Sequence, residues 1–263
     1  MGPAVSIGWN PSLQECGSLK GLKKHFFLIL YMWPEEIDKV FVLIHQRKEK
    51  ERFDRLAPHL LSRGIPADRV YFCAPTWGSE LTNETIFNCY DPFSRPGVPV
   101  FTFKARSLSR GEISLVLNFY AAAQTAVKES MGKVIILESD VWLREDFVER
   151  LHDVMEQVKD KEWDYISLGE GARTRPNGCE PSMFGKTKIY PPNHHFVYRC
   201  TDSMLFKVPY LKKILPTLLP FRECLDWELN IQALAHQSKS LWVDPPLVEQ
   251  GTAVGRQETT LIA

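Results

Sequence analysis

The sequence predicts an α/β protein: a mostly parallel sheet with helices on both faces and an irregular C-terminal half. Short apolar runs rich in β-branched residues recur along the chain. Between them lie longer stretches whose apolar residues repeat at helical period. Their alternation is what a sheet built by crossover helices requires.

The first run, KVFVLI (39–44), reads as a buried strand. In the stretch after it, Phe53, Leu56, Leu60 and Leu61 fall on one helical face and Gly64 closes the end. DRVYFCA (68–74) is a second strand, and 76–106, rich in Pro, Asn, Ser and Gly, is a long loop. Ser109 and Glu112 then stand at capping-box spacing. Ile113, Val116, Leu117, Tyr120 and Val127 follow on one face.

KVIILE (133–138) is a third strand, followed by a helix from about Arg144 with Phe147, Leu151, Val154, Met155 and Val158 inward. DYISLG (164–169) is a fourth strand. From 170 to 195 Gly, Pro and Asn break every period, and a loop of that length in a compact domain is usually functional or disordered. FVYRCTDSMLF (196–206) is strand-like and KVPYLKKILPTLLP (207–220) helical. LDWELNIQALAHQ (225–237) is a helix with Ile231, Leu234 and Ala235 on one face, and SLWVDPPLVEQGT (240–252) closes the fold. The expected organisation is one domain over 39–252, an N-terminal extension (1–38) and a C-terminal tail (253–263).

With 263 residues, 44% of them hydrophobic, the chain can bury a substantial core. Thirty-two basic residues balance 32 acidic ones, which argues against a general nucleic-acid binder. The six cysteines lack CxxC and zinc-type spacing and read as reduced, mostly buried thiols, with a Cys179–Cys200 bridge as the alternative in an oxidising compartment. The apolar run 26–33 stops at Pro34, far short of the roughly 20 residues of a membrane span, and no small-residue cleavage site follows. A cytoplasmic protein is expected. The run reads as a segment packed on the domain, with peripheral membrane contact as the sharper alternative. Gly2 and Ser6 match a myristoylation pattern short enough to occur by chance.

The chemistry centres on Glu138-Ser139-Asp140. Ligands of parallel α/β sheets sit beyond the carboxyl ends of the strands, where this run ends. Alternation along an extended chain points Glu138 and Asp140 to one side and Ser139 away. Two oxygen donors sharing a diphosphate suit Mn²⁺ or Mg²⁺; the bland reading is a solvated strand end whose acids cap the next helix.

SRGEISLVLNFYAAAQTAVKESMGKVIILESDVWLREDFVERL followed by EWDYISLG resembles glycosyltransferase family 25, the lipopolysaccharide and collagen galactosyltransferase group. There a GEIGC…SH helix runs into a strand ending LEDDV, then a Phe-bearing helix and a WD…LG strand. VLIHQRKEKERFDRL resembles the family's opening INLDRRPDRR, and CLDWELN and PPLVEQ its late motifs, so the resemblance covers about 39–252. It implies a GT-A architecture, a nucleoside-diphosphate-sugar donor (a UDP-sugar foremost), a glycan or glycoconjugate acceptor and a divalent metal, usually Mn²⁺.

By the same resemblance Asp140 is the metal ligand, with Glu138 on ribose or a metal-bound water. Ser139 replaces a central acid, Asn118-Phe119 stands where the family has Ser-His, and His45-Gln46 departs from its opening motif. Donor contacts are expected from His45, Arg47, Arg110, Glu138, Ser139 and Asp140.

A departing diphosphate needs its charge neutralised rather than a strong acid. Arg47, Arg110 and Lys133 are the candidate cations. An inverting transfer also needs a base on the acceptor hydroxyl. Asp226 is the first candidate and Glu228 the second, against a plain reading of both as the acidic first turn of a helix. His194 and His195 could add a ligand, Trp77, Tyr190 and Trp227 could stack on a base or sugar, and 170–195 could cover the donor as a lid.

The alternatives are a non-catalytic nucleotide-sugar or glycan-binding homologue, a nucleotidyltransferase and a two-carboxylate glycoside hydrolase. The second lacks the Gly-rich loop it would need in HQRKEKER. The third would need no metal.

Overall fold

Seven strands form the central sheet of the computed structural model, which describes residues 32–93, 107–169, 187–192, 197–198, 200–256 and 258. In chain order they are β1 (Lys39–Leu43), β2 (Val70–Phe72), β3 (Lys133–Glu138), β5 (Tyr165–Ser167), β6 (Lys188–Tyr190), β7 (Ser203–Lys207) and β8 (Ser240–Asp244). Their spatial order is β2-β1-β3-β7-β5-β8-β6. A short ribbon pairs β4 (Val141–Leu143) with β9 (Val248–Gln250).

The expected parallel sheet is present with two exceptions. β7 runs antiparallel between β3 and β5, and β6 runs antiparallel on the edge beside β8. The remaining strands share one direction.

Alternation along the strands builds two cores. Phe41, Val134, Ile136 and Phe206 face one side, Val40, Val42, Ile135 and Leu137 the other. The first side is covered by α3 (Arg110–Lys128), α5 (Val208–Leu218) and α6 (Leu225–Ala235). The second is covered by α1 (Lys50–Ser62) and α4 (Phe147–Val158). Each apolar side chain of this size buried adds roughly 1.5–3 kcal/mol, so the two-sided sheet is the main source of stability.

The capping box of α3 is formed: Ser109 Oγ accepts from Glu112 N–H, and the Glu112 carboxylate accepts from Ser109 N–H. All five residues assigned inward on α4 are buried. On α3, Ile113 and Val116 are buried, while Leu117, Tyr120 and Val127 pack against the core from partly exposed positions.

Three readings are corrected. Leu61 on α1 and Leu234 and Ala235 on α6 are exposed, because the faces turned to the core carry Leu56 and Leu60 on α1 and Leu225, Leu229 and Ala233 on α6. The loop 76–106 contains α2 (Asn83–Cys89), started by the Thr82 side chain accepting from Thr85 N–H; 94–106 lie outside the described residues. Most of 170–195 also lies outside them, with His194 and His195, but the described part contains β6, read from sequence as loop.

The core begins upstream of 39. Trp33 and Ile37 are buried, and Trp33 Nε1 donates to the Ile37 carbonyl. Most of the apolar run before Trp33, with Gly2, Ser6, Cys16 and Cys179, falls outside the described residues. Cys73, Cys89 and Cys224 are free thiols, and Cys73 and Cys89 are buried. Among the described residues no helix is long and apolar enough to cross a membrane.

Candidate active site at the carboxyl end of the third strand

β3 pairs with β1 so that Glu138 lies beside Leu43, and the chain then turns through Ser139 and Asp140 into β4. β7 comes down the other side of β3, with Leu137 opposite Ser203. Because β7 is antiparallel, its entry residues Thr201 and Asp202 arrive beside the acidic end. Glu138 N–H donates to the Asp202 carbonyl at 2.9 Å, and Thr201 Oγ1 donates to Glu138 Oε1. Asp202 was missed from sequence; its only signal was an acid directly before an apolar strand.

A cleft of about 120 Å³ opens over this turn. Glu138, Ser139 and Asp140 form its floor, Glu49 and Arg52 of α1 one wall, Trp77 and the first half of α3 another, and Gln250 and Thr252 the rim. Gly78 is required where the walls meet: a Cβ there would lie 2.8 Å from Gly111 N.

Asn118 holds this corner. Its side chain accepts from Thr76 N–H (3.0 Å) and Thr76 Oγ1 (2.8 Å) and donates to the Thr76 carbonyl (3.2 Å). Trp77 is thereby set edge-on against His45, with ring centroids 5.6 Å apart. Phe119, beside Asn118, is fully buried against Phe206 and belongs to the core.

The carboxylates are raised in pKa by their surroundings. Burial, then the charge of Asp140, pushes Glu138 up to about 8, with smaller contributions from Asp202 and Asp226, against the Thr201 hydrogen bond. Burial also raises Asp140, while Thr252 N–H, Arg52 and Arg55 favour its charged form. Thr252 N–H and Oγ1 both donate to Asp140 Oδ2. Among the described residues, Oδ1 of Asp140 is buried without a hydrogen-bond partner. Among the described residues no group of three or more His, Cys, Asp or Glu side chains could hold a metal ion, so Glu138 and Asp140 offer a hard divalent cation two carboxylates, and the rest of its shell would fall to donor phosphate and water.

Ser139 does not point away as strand alternation predicts, because the chain is already turning. Its hydroxyl donates to Glu49 Oε1 at 2.7 Å and accepts from Arg52 Nη1 at 2.9 Å. Arg55 Nη2 and Nη1 bind the Ser139 and Val141 carbonyls, and its guanidinium covers the Trp142 ring at 4.3 Å. Burial, then Arg63 and Arg55, lowers His59 to about 4, so its neutral ring accepts Leu143 N–H through Nε2 at 2.9 Å.

The remaining predicted residues separate. Asp226, half-buried in the first turn of α6, is not on the cleft wall, but its charge reaches Glu138. Burial raises its pKa, and its Oδ1 accepts from Cys224 Sγ (3.1 Å) and Trp227 N–H (2.9 Å). Glu228 is fully buried and accepts from Arg222 and Glu223 N–H, which makes it a support for the preceding loop. Arg47 is exposed. Arg110 turns to the Leu81 carbonyl and Asn83 Oδ1. Lys133 begins β3, so a strand's length (about 3.3 Å per residue) separates it from Glu138. The cations beside the acids are Arg52 and Arg55, which sequence reasoning passed over as part of a charged helix face.

No family model matches the chain. It is 32% identical to human "Inactive glycosyltransferase 25 family member 3" over 140 residues, 50% of this chain and 22% of that protein. It is 25% identical to mouse "Procollagen galactosyltransferase 2" over 149 residues, 55% of this chain and 23% of that protein. The chain is similar to members of the glycosyltransferase 25 family. It spans 12% to 23% of the length of the curated relatives it matches. Among solved structures, a glycosyltransferase involved in glycosylation of the PBCV-1 major capsid aligns with TM-score 0.43 and 12% identity, over 83% of this chain and 97% of that one. The glycosyltransferase 25 resemblance stated from the motifs therefore stands, at low identity and over about half of this chain.

Proposed function

We propose that this glycosyltransferase 25 relative transfers a sugar from a nucleoside-diphosphate donor to a hydroxyl of a glycan or glycoconjugate, with inversion. The observation that carries the reading is the meeting, at one strand end, of Glu138, a half-bare Asp140 and Arg52 in a single cleft, with the charge of Asp226 in reach. Glu138 and Asp140 would hold the metal, Mn²⁺ or Mg²⁺. When bound, that ion supplies neutralisation of charge on the departing diphosphate.

The chain's own residues account for the rest. Trp77, fixed by Asn118 through Thr76 and backed by His45, gives the nucleoside an aromatic face. Asp226 takes the acceptor proton as the acceptor oxygen bonds to the anomeric carbon, and the electron pair of the broken bond leaves with the diphosphate. Burial brings its proton affinity closer to that of a working base. Asp226→Asn is expected to fold and bind donor but to release no nucleoside diphosphate from nucleotide sugars in the presence of acceptor. Wild-type turnover in that variant removes Asp226 from the mechanism.

A second reading is a catalytically inactive nucleotide-sugar-binding protein. It is favoured by the engagement of Ser139 with Glu49 and Arg52 at the centre of the acidic turn, and several relatives are themselves named as inactive glycosyltransferases. Saturable donor binding without transfer to any of a panel of glycan acceptors would establish it over the first.

A further inference from the structure

We infer that Arg52, set by Glu49 and Ser139, is the diphosphate-binding cation of the cleft. The inference rests on the nucleoside-diphosphate reading above. Position 139 then serves a guanidinium and is no damaged metal ligand.

Arg52 sits on the first turn of α1, where the connection from β1 brings it over the β3 turn. Its side chain is 14% exposed, so the guanidinium is held rather than solvated. Nη1 donates to Ser139 Oγ at 2.9 Å and lies 3.6 Å from Glu49 Oε1. Glu49 is itself fixed: Oε2 accepts from His45 N–H at 2.9 Å and Oε1 from Ser139 Oγ at 2.7 Å. The Nη1 end of the planar fork is thereby held by Ser139 and Glu49. Nη2 meets the Glu258 main-chain carbonyl, a neutral acceptor that an entering phosphate oxygen can replace. Arg52 lines the same cleft as Asp140, whose charged form it favours, so phosphate bound here lies next to the acids.

The geometry also says what an acid at 139 would do. A carboxylate in place of the hydroxyl would stand at hydrogen-bonding distance from the Glu49 carboxylate and would clamp Arg52 as an ion pair. Ser139→Asp therefore removes the guanidinium from the phosphate. If Ser139 were a lost metal ligand, the same substitution would improve binding.

The test measures affinity for UDP and GDP, and for uridine and guanosine, with Mn²⁺ present, in the wild type, Arg52→Gln, Arg52→Lys and Ser139→Asp. The expected result is a loss of about tenfold or more in diphosphate affinity for Arg52→Gln, the scale of a charge-assisted hydrogen bond. Arg52→Lys is expected to fall between it and wild type. Nucleoside affinity should not change, whereas a misfolded cleft would lower both. Ser139→Asp should bind diphosphate more weakly than wild type. Unchanged diphosphate binding in Arg52→Gln overturns the inference and leaves the functional reading intact, as does tighter binding in Ser139→Asp. Absence of diphosphate binding by the wild type overturns both.

Discussion

At the scale of single residues, the site is a contest between burial and charge, and Glu138 shows it best. Its carboxyl, raised from 4.5 to about 8, keeps in the folded protein a proton that the unfolded chain gives up near 4.5. Its contribution to stability is therefore full below about 4.5 and is lost as pH rises through 8. His59 has the opposite sign: lowered from 6.5 to about 4, it favours the fold above 6.5 and loses that contribution as pH falls through 4. Between about 6.5 and 8 only the Glu138 effect remains of the two. Metal-free protein should lose stability to urea across that interval, and Glu138→Gln should flatten the decline. A profile that rises from 6.5 to 8, or a variant that declines as the wild type does, would contradict this account of the buried acid.

The same scale shows what sequence could tell. Two acids at the end of an apolar strand were legible because strand period and carboxyl-end placement are local rules. Glu49 and Arg52 were not. Nothing in HQRKEKERF separates these two from Arg47, Lys48 and Lys50, which are exposed. Only the angle at which α1 leaves β1 decides which charges turn inward. Ser139 was misassigned for a related reason, since period-two reasoning ends where the strand does.

At the scale of elements, the antiparallel β7 is the feature that completes the site. A parallel strand in that place would bring its carboxyl end to β3, and Thr201 and Asp202 would sit at the far edge. Sequence order could not reveal this, because an apolar run has the same side-chain period in either strand direction. The corner formed by α3 and Gly78 is likewise set by backbone proximity rather than by a motif.

Asn118 is the side chain that ties that corner. Asn118→Ala strands the Thr76 N–H and carbonyl, which is expected to cost about 1–3 kcal/mol of stability in urea unfolding. It should also weaken nucleoside affinity by releasing Trp77. Loss of stability with nucleoside affinity intact would show that Trp77 is not part of the binding wall.

At the scale of the whole molecule, distant segments converge on one turn: α1 from the N-terminal part, α3 from the middle, β7 and the 250–258 segment from the C-terminal part. Gly251 N–H binds the Asp140 carbonyl, Arg256 lies over Trp142 at 5.2 Å, and Glu258 meets Arg52. Arg256 and Glu258, from the expected C-terminal tail, thus touch residues that flank the acidic turn. Such convergence is what a nucleotide-dependent transferase needs, and its central element is the half-bare Asp140.

Calorimetric titration with a panel of UDP- and GDP-sugars, in Mn²⁺ and again in EDTA, tests that claim most directly, with Asp140→Asn beside the wild type. The account predicts saturable, Mn²⁺-dependent binding of at least one donor by the wild type, abolished both by EDTA and by Asp140→Asn. No binding of any donor, or binding indifferent to both metal and Asp140, would contradict it.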